Sequence, residues 1–154
     1  MADKPLVLIV LGSKTDEPVT IEAEQLLTEL GIPFHKVISS AHRNPERAVS
    51  QAATARELGF KVLIGIAGLG AALPGTLAAN TTLPVIGVPI NAQNSLQGGM
   101  DAVGAILQMP PGIPVACVGI NNARNAALLA AAILALTDPM IQTSIEKYRA
   151  KWNT

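Results

Sequence analysis

The sequence predicts an α/β protein of three layers, in which helices cover both faces of a doubly wound parallel sheet. Five short runs are predicted strands, four of them apolar throughout and rich in β-branched residues, and helix-like segments separate them. Strands without a polar face indicate a parallel sheet, because the crossover helices shield both of its faces from water. The alternation continues along the chain without a linker, so residues 1–154 are expected to form a single domain.

The predicted strands cover residues 6–11, 34–38, 62–66, 85–88 and 115–118. Predicted helices lie near residues 19–30, 45–58, 74–79, 101–108 and 122–136, and a charged helix-like tail covers residues 139–154. In a sheet of this kind, ligands bind outside the carboxyl ends of the strands, near the point where the strand order reverses. The loops that follow the strands are therefore the expected place for a functional site.

The composition argues against a nucleic-acid-binding protein. The formal net charge is zero and 3% of the residues are aromatic, so the chain offers neither a basic field nor a stacking platform for bases. Charged residues make up 14% of the chain and hydrophobic residues 49%, whereas an ordinary globular domain has roughly 25% charged residues. These charges are too few to cover a monomer, which predicts a homo-oligomer with a large subunit interface.

The apolar excess does not indicate a membrane protein. The apolar run at residues 125–136 is shorter than the roughly 20 residues that a spanning helix needs. The longer apolar region at residues 62–88 is interrupted by several glycines and prolines. The N-terminus lacks the basic head, apolar middle and small-residue cleavage site of a signal peptide, so a cytoplasmic protein without a membrane segment is expected.

The loop after the second predicted strand, from Ser39 to Pro45, carries the most informative residues of the chain. It places His42 directly beside Arg43 in a polar setting. Histidine can take and give a proton near neutral pH, and arginine can hold an anion through paired charge-assisted hydrogen bonds. The pair is typical of an active site, although a surface histidine at a helix cap would produce the same pattern.

Three other strand-end loops carry unusual residues. The first, at residues 11–16, could bring hydroxyl groups and a helix N-terminus to a phosphate, or Thr15 or Asp16 could simply cap the helix. The glycine-rich loop at residues 67–75 could let the backbone approach a ligand, or could serve tight packing. The long loop after residue 88 has uncharged polar groups that suit a neutral heterocycle or plain solvation, namely Asn91, Gln93, Asn94 and Ser95.

These loops carry short motifs that run in order along nearly the whole chain. They are Gly12-Ser13-x-Thr15-Asp16, Ser40-Ala41-His42-Arg43-x-Pro45, Ala67-Gly68, Leu73-Pro74-Gly75, Gly87-Val88-Pro89, Gln108-Met109-Pro110 and the run from Asn125 to Ala130. Together they resemble the small-subunit phosphoribosylaminoimidazole carboxylase family of purine biosynthesis. The resemblance implies a flavodoxin-like sheet, an octamer with active sites at subunit junctions and a C-terminal helix packed on neighbouring subunits. It also implies that no metal, nucleotide or biotin is needed.

The resemblance assigns roles to several residues. It implies that Arg43 and nearby hydroxyls, Ser40 among them, hold the 5′-phosphate of an aminoimidazole ribonucleotide, that Asp16 reaches the ribose hydroxyls, and that His42 transfers the proton at C4. The substrates would be this phosphorylated ribonucleotide and carbon dioxide. The other expected substrate-binding residues are Ser13, Thr15, Ala41, Gly68, Gly70, Ala71 and Leu73.

One position departs from the bacterial class of this family. That class usually reads Ala-Ala-His-Leu-Pro-Gly, whereas this chain has Ala72 in place of the histidine. Three hypotheses follow: a mutase that moves the carboxylate of N5-carboxyaminoimidazole ribonucleotide to C4 through released and recaptured carbon dioxide, a carboxylase that takes free carbon dioxide, and a paralogue that acts on or only binds another ribonucleotide.

Overall fold

The computed structural model describes residues 3–153 and, within them, a five-stranded parallel sheet. Its strands are β1 (Val7–Leu11), β2 (Phe34–Ile38), β3 (Val62–Gly68), β4 (Val85–Ile90) and β5 (Ala116–Cys117). They lie in the order β2-β1-β3-β4-β5, so the order reverses between β1 and β3. The carboxyl ends of all five strands point to one edge of the sheet, because every neighbouring pair is parallel.

Helices cover both faces of this sheet. They are α1 (Glu17–Glu29), α2 (Pro45–Ala55), α3 (Leu73–Ala79), α4 (Met100–Leu107), α5 (Ala123–Ala135) and α6 (Pro139–Arg149). Short 3-10 turns at Lys14–Asp16, Leu96–Gly99 and Ala150–Trp152 complete the regular structure of residues 3–153. The predicted fold class is therefore confirmed.

Two apolar cores explain why the central strands β1, β3 and β4 have no polar face. Along β1, Val7, Ile9 and Leu11 are buried in the core that α1, α5 and α6 share. Leu8 and Val10 are buried in the second core, against α2, α3 and α4. Successive side chains of a strand point to opposite faces, so a strand with a core on each side must be apolar at every position.

The element bounds differ from the prediction mainly at the ends of the strands and of α2. Strands β3 and β4 each extend two residues beyond the predicted ranges, since Ala67 pairs with Pro89 and Gly68 with Ile90. Pro89 is tolerated there because β5 ends earlier, so no ladder bond to β5 needs its missing N–H. Helix α2 ends at Ala55, three residues before the predicted residue 58. The chain then leaves the helix direction at Gly59, which has a left-handed backbone conformation.

The C-terminal helix α6 packs on α5 of its own chain. Tyr148 is buried in the core and its hydroxyl accepts a hydrogen bond from Arg124 Nη1 at 3.2 Å. Trp152 stands edge-on to the Tyr148 ring with 5.1 Å between the ring centroids. Packing of this helix on neighbouring subunits stays a prediction, and residue 154 lies outside the described range. No helix within residues 3–153 combines the length and apolarity required to span a membrane.

A pair of glycines sets the distance between α3 and the sheet. Gly65 of β3 and Gly87 of β4 lie side by side in the ladder. A Cβ atom at Gly65 would lie 3.2 Å from Pro74 Cα, and one at Gly87 would lie 3.2 Å from Pro74 Cβ. The first turn of α3 therefore rests directly on the backbone of two strands, which also fixes the loop that precedes this helix.

Gly87→Ala is expected to lower the free energy of unfolding by about 1–3 kcal/mol, because the new methyl group would collide with Ile106 and press on Pro74. Gly104→Ala is the matched control, since nothing outside its own helix lies within 4 Å of the added atom. This control should gain roughly 0.5–1 kcal/mol from helix propensity. Urea denaturation of both variants tests the prediction, and equal stability of the two would contradict it.

Candidate active site

A cavity of about 550 Å³ opens at the carboxyl edge of the sheet, above the switch point between β1 and β3. Its volume falls in the range of small-molecule sites, and its place is the one expected for this architecture. The cavity brings together every residue that the family resemblance implies for catalysis or substrate binding, while the larger groove beside α6 contains none of them. These residues are Ser13, Thr15, Asp16, Ser40, Ala41, His42, Arg43, Gly68, Gly70, Ala71 and Leu73.

The loop after β1 presents two hydroxyl groups and a carboxylate. Ser13 Oγ lies 2.9 Å from Thr15 Oγ1 and accepts a hydrogen bond from the Thr15 N–H at 3.3 Å, so Ser13 caps the 3-10 turn. Asp16 makes no side-chain capping bond to α1, although it stands at the N-cap position. Helix capping therefore does not explain the carboxylate of Asp16.

Asp16 is 9% exposed and lines the cavity. Burial raises the pKa of its carboxyl above the ordinary value of 3.8, and a hydrogen bond from the Ser13 backbone and the charge of Arg43 offset only part of this effect. The carboxylate of Asp16 is thus poorly solvated and lies near the guanidinium group of Arg43, which lines the same cavity. A ligand with hydroxyl donors would supply the hydrogen bonds that this carboxylate lacks.

The loop after β2 fixes Arg43 against the backbone of the first loop. Ser40 Oγ accepts hydrogen bonds from the Arg43 N–H at 3.1 Å and from Arg43 Nε at 3.4 Å, and Arg43 Nη2 donates to the Gly12 carbonyl at 3.4 Å. Asn44 caps α2 by accepting a bond from the Arg47 N–H at 3.2 Å. Neither His42 nor Arg43 therefore caps α2. The guanidinium group of Arg43 lines the cavity and has further N–H donors that a ligand can use.

His42 reaches from the second loop toward the third. Its Cε1 would lie 3.9 Å from a Cβ atom placed on Gly70, although β1 lies between the strands that carry these two loops. The walls contributed by the loops after β1 and β2 are mostly polar, and the walls contributed after β3 and β4 are apolar apart from their backbone. The imidazole therefore stands between a polar part and an apolar part of the cavity.

The glycine-rich third loop is tightly packed as well as open to the cavity. A Cβ atom on Gly68 would lie 3.0 Å from Ala92 Cβ and 3.2 Å from the Ile90 carbonyl oxygen, so this position has no room for a side chain. The Ala71 N–H donates to the Gly68 carbonyl at 3.0 Å and closes a turn. Within that turn Leu69 has a φ of 54°, a left-handed conformation that costs a non-glycine residue roughly 1–2 kcal/mol.

Five further residues line the cavity that were absent from the candidates drawn from the sequence. In the sequence, Ala72 is a departure from the bacterial class, Gly12 and Ala67 are members of motifs, and Leu69 and Ala92 carry no signal. The four polar residues of the fourth loop do not line the cavity. Ser95 Oγ instead accepts a hydrogen bond from the Ala92 N–H, and the backbone N–H of Asn91 donates to Asn121 Oδ1. Residues 3–153 contain no cluster of three or more His, Cys, Asp or Glu placed to hold a metal ion. The five added residues are Gly12, Ala67, Leu69, Ala72 and Ala92.

A sequence model of the AIR carboxylase family, named for aminoimidazole ribonucleotide (AIR), matches residues 6–154. The chain belongs to the AIR carboxylase family. Its relatives include the N5-carboxyaminoimidazole ribonucleotide mutase of Pyrococcus horikoshii, 50% identical over 147 residues that cover 96% of this chain and 82% of that protein. The phosphoribosylaminoimidazole carboxylase of Saccharomyces cerevisiae is 47% identical over 148 residues, which cover 96% of this chain and 26% of the yeast protein.

Solved structures of the same family share the fold of this AIR carboxylase family member. The crystal structure of Treponema denticola PurE superposes with a TM-score of 0.86 at 34% identity and covers 96% of this chain and 90% of that one. The flavodoxin-like fold implied by the sequence resemblance is thereby confirmed. The resemblance to the carboxylase family is confirmed by the family match.

Asp16→Asn is expected to raise the free energy of unfolding at pH 7. Because burial raises the pKa of this carboxyl, the folded protein binds a proton that the unfolded chain releases, so wild-type stability falls as pH rises from below 3.8 through the raised pKa. The difference in free energy of unfolding between Asp16→Asn and wild type should therefore grow as the pH rises from below 3.8 through the raised pKa, and stay constant at higher pH. Thermal unfolding from pH 3 to 8 measures this difference, with the exposed Glu57→Gln as control. An Asp16→Asn variant that is less stable than wild type at pH 7 would contradict the prediction.

Proposed function

We propose that this protein is an N5-carboxyaminoimidazole ribonucleotide mutase that forms 4-carboxy-5-aminoimidazole ribonucleotide in purine biosynthesis. The observation that carries the proposal is the cavity itself, which joins an anion-binding arginine, a histidine and an apolar wall in one site. Relatives from Pyrococcus horikoshii and Thermotoga maritima that bear the mutase name support it, at 50% and 46% identity over nearly the whole chain.

The polar part of the cavity suits the ribose phosphate. Arg43 and the Ser40 hydroxyl, which already lie within hydrogen-bonding distance of each other, would hold the 5′-phosphate. Ser13 and Thr15 would add hydroxyl donors, and Asp16 would accept hydrogen bonds from the ribose hydroxyls. These contacts would fix the nucleotide so that its aminoimidazole ring extends past His42 to the apolar part of the cavity.

The chemistry needs a proton carrier and a dry space. Cleavage of the bond between N5 and its carboxyl carbon releases carbon dioxide, and N5 keeps the electron pair and takes up a proton. The electron-rich C4 then attacks the carbon dioxide, and His42 removes the C4 proton so that the ring regains its aromatic state. Holding the gas beside C4 is chiefly a proximity effect, which the apolar walls formed by Ala67, Ala71 and Leu73 would serve.

A direct carboxylase that takes free carbon dioxide is the second candidate function. Ala72 favours it, because the wall lacks the second histidine that the bacterial class usually has at this position. The carboxylase name of the yeast relative agrees with this alternative. Under either function His42 would transfer the proton without a second histidine beside it.

We further propose that the protein works in the cytoplasm as a homo-oligomer, an octamer as the family resemblance implies. Large apolar side chains are exposed on several elements of the chain, Leu96, Leu136 and Met140 among them. Together with the low share of charged residues, they support extensive burial between subunits.

His42→Ala is expected to lower kcat by about 100- to 10,000-fold with little change in KM, because proton transfer at C4 would lose its carrier. The matched control is His35→Ala, since His35 is exposed on β2 and lies outside the cavity. Steady-state kinetics and calorimetric binding of the product report the two effects separately. Retained turnover in His42→Ala would remove this residue from the mechanism, and a comparable rate loss in the control would point to the fold instead.

Arg43→Ala should raise KM by roughly 10- to 100-fold, the loss expected when a charge-assisted contact to phosphate is removed. Its matched control is Arg56→Ala, because Arg56 bonds to Thr82 outside the cavity. The same kinetic assay with the phosphate-free nucleoside should show little difference between wild type and Arg43→Ala. A large difference on that substrate would place the phosphate elsewhere.

The mutase and the carboxylase are separated by supplying each substrate alone. Wild-type protein given N5-carboxyaminoimidazole ribonucleotide in buffer stripped of carbon dioxide should form the C4 product, and AIR with bicarbonate should turn over far more slowly. Quantification of the product by liquid chromatography measures both rates. Turnover of AIR that rises with carbon dioxide, without conversion of the N5 compound, would establish the carboxylase instead.

A further inference from the structure

Leu69 has a positive φ, a partly exposed side chain and a position in the lining of the cavity. It is the first central residue of the turn that the Ala71 N–H closes on the Gly68 carbonyl, and its φ of 54° is a conformation that favours glycine. Glycines stand on both sides of it, at positions 68 and 70. Ala71 of the same loop also has a positive φ, of 24°, but Leu69 is the one of these two residues that carries a large side chain.

Burial within the chain does not offset this strain. The leucine side chain is 46% exposed, whereas the leucines of the two cores are almost fully buried. Gly68 has no room for a Cβ atom against Ala92 and Ile90, so the start of the turn is held in place and Leu69 projects from a fixed base. A strained residue that persists without burial in its own chain points to a role at the site it borders.

The side chain borders the apolar part of the cavity, next to His42. Leu69 lines the same cavity, and its neighbour Gly70 is the residue that His42 Cε1 approaches. The remaining apolar wall consists of short side chains, Ala67, Ala71, Ala72 and Ala92, with the buried Leu73 at its base. Leu69 is therefore the one long and partly exposed apolar side chain that the described residues place at the rim of this wall.

We propose that Leu69 is a positioning residue that covers the apolar part of the cavity and retains carbon dioxide between its release from N5 and its bonding to C4. The proposal rests on the proposed mutase function. An apolar cover would exclude water from the space beside His42 and slow the escape of an apolar gas. Alanine at position 72 leaves that space wider than an imidazole would, which increases the need for a cover at its rim.

Loss of the cover predicts uncoupling and not merely slower turnover. If carbon dioxide escapes after the N5 bond has broken, the nucleotide leaves as AIR, with the electron pair and a proton on N5, and no C4 bond forms. The ratio of released AIR to carboxylated product therefore measures retention. Carbon from labelled bicarbonate in solution should enter the product to the same extent that the released gas exchanges.

The test compares Leu69→Ala and Leu69→Gly with wild type on N5-carboxyaminoimidazole ribonucleotide, in buffer that contains 13C-bicarbonate and with the spontaneous decarboxylation subtracted. Both variants should raise the ratio of AIR to product and the 13C content of the product by about tenfold, the factor expected from losing one leucine side chain's apolar contact. Leu69→Gly relieves the backbone strain, so it tests the side chain even if Leu69→Ala folds poorly. Leu69→Met should restore retention.

The control is Leu58→Ala, because Leu58 is 58% exposed and lies outside the cavity. Wild-type protein that forms no C4 product would overturn the proposed function itself. Wild-type conversion with unchanged ratios in both Leu69 variants would overturn the inference alone. Unchanged ratios with a shift in molecular mass by light scattering would assign Leu69 to a subunit interface, which also overturns it.

Discussion

The order of the four strands β2-β1-β3-β4 is the constraint on which the candidate site depends. Parallel pairing brings their carboxyl ends to one edge of the sheet, and the reversal of strand order between β1 and β3 opens a crevice there. The polar lining of the cavity comes from the loops after β1 and β2, and the apolar lining comes from the end of β3, the loop after it, and Ala92 after β4. The division of the cavity into an anion-binding part and an apolar part is thus a direct result of the sheet topology, and His42 crosses between the two.

The positions of these loops are held by close backbone contacts. Gly65 and Gly87 let Pro74 rest on the sheet, and this contact fixes the start of α3 and the wall that leads into it. Gly68 has no space for a side chain against the end of β4. The loop that bears Leu69 is therefore built on rigid packing, which suits a wall that must keep its shape while a small gas is held.

Two residues of the cavity lower the stability of the fold and are explained by the functional site. Asp16 is a carboxyl whose pKa is raised mainly by burial, and Leu69 holds a backbone conformation that favours glycine. Natural proteins break local rules of this kind mostly where function requires it. Both residues border the same cavity, and the sequence alone marks only the first of them as a candidate.

The sequence predicts the fold and most of this site because the signals are local. Apolar strands and the motifs around His42 can be read residue by residue. The strand extensions at Gly68 and Ile90 depend on pairing between distant segments. The turn that contains Leu69 begins at Gly68, and Gly68 is held against Ala92 from a different segment of the chain. Contacts of this kind leave no periodic trace, so Leu69 and Ala92 could be found only from the structure.

A crystal structure with bound 4-carboxy-5-aminoimidazole ribonucleotide would show whether the cavity is divided in this way, because it locates both ends of the nucleotide at once. We expect the 5′-phosphate within hydrogen-bonding distance of Arg43 and Ser40, with C4 beside the His42 imidazole and its carboxylate against the wall that Leu69 covers. A phosphate bound among the loops after β3 and β4, with C4 turned toward Asp16 and away from His42, would contradict it.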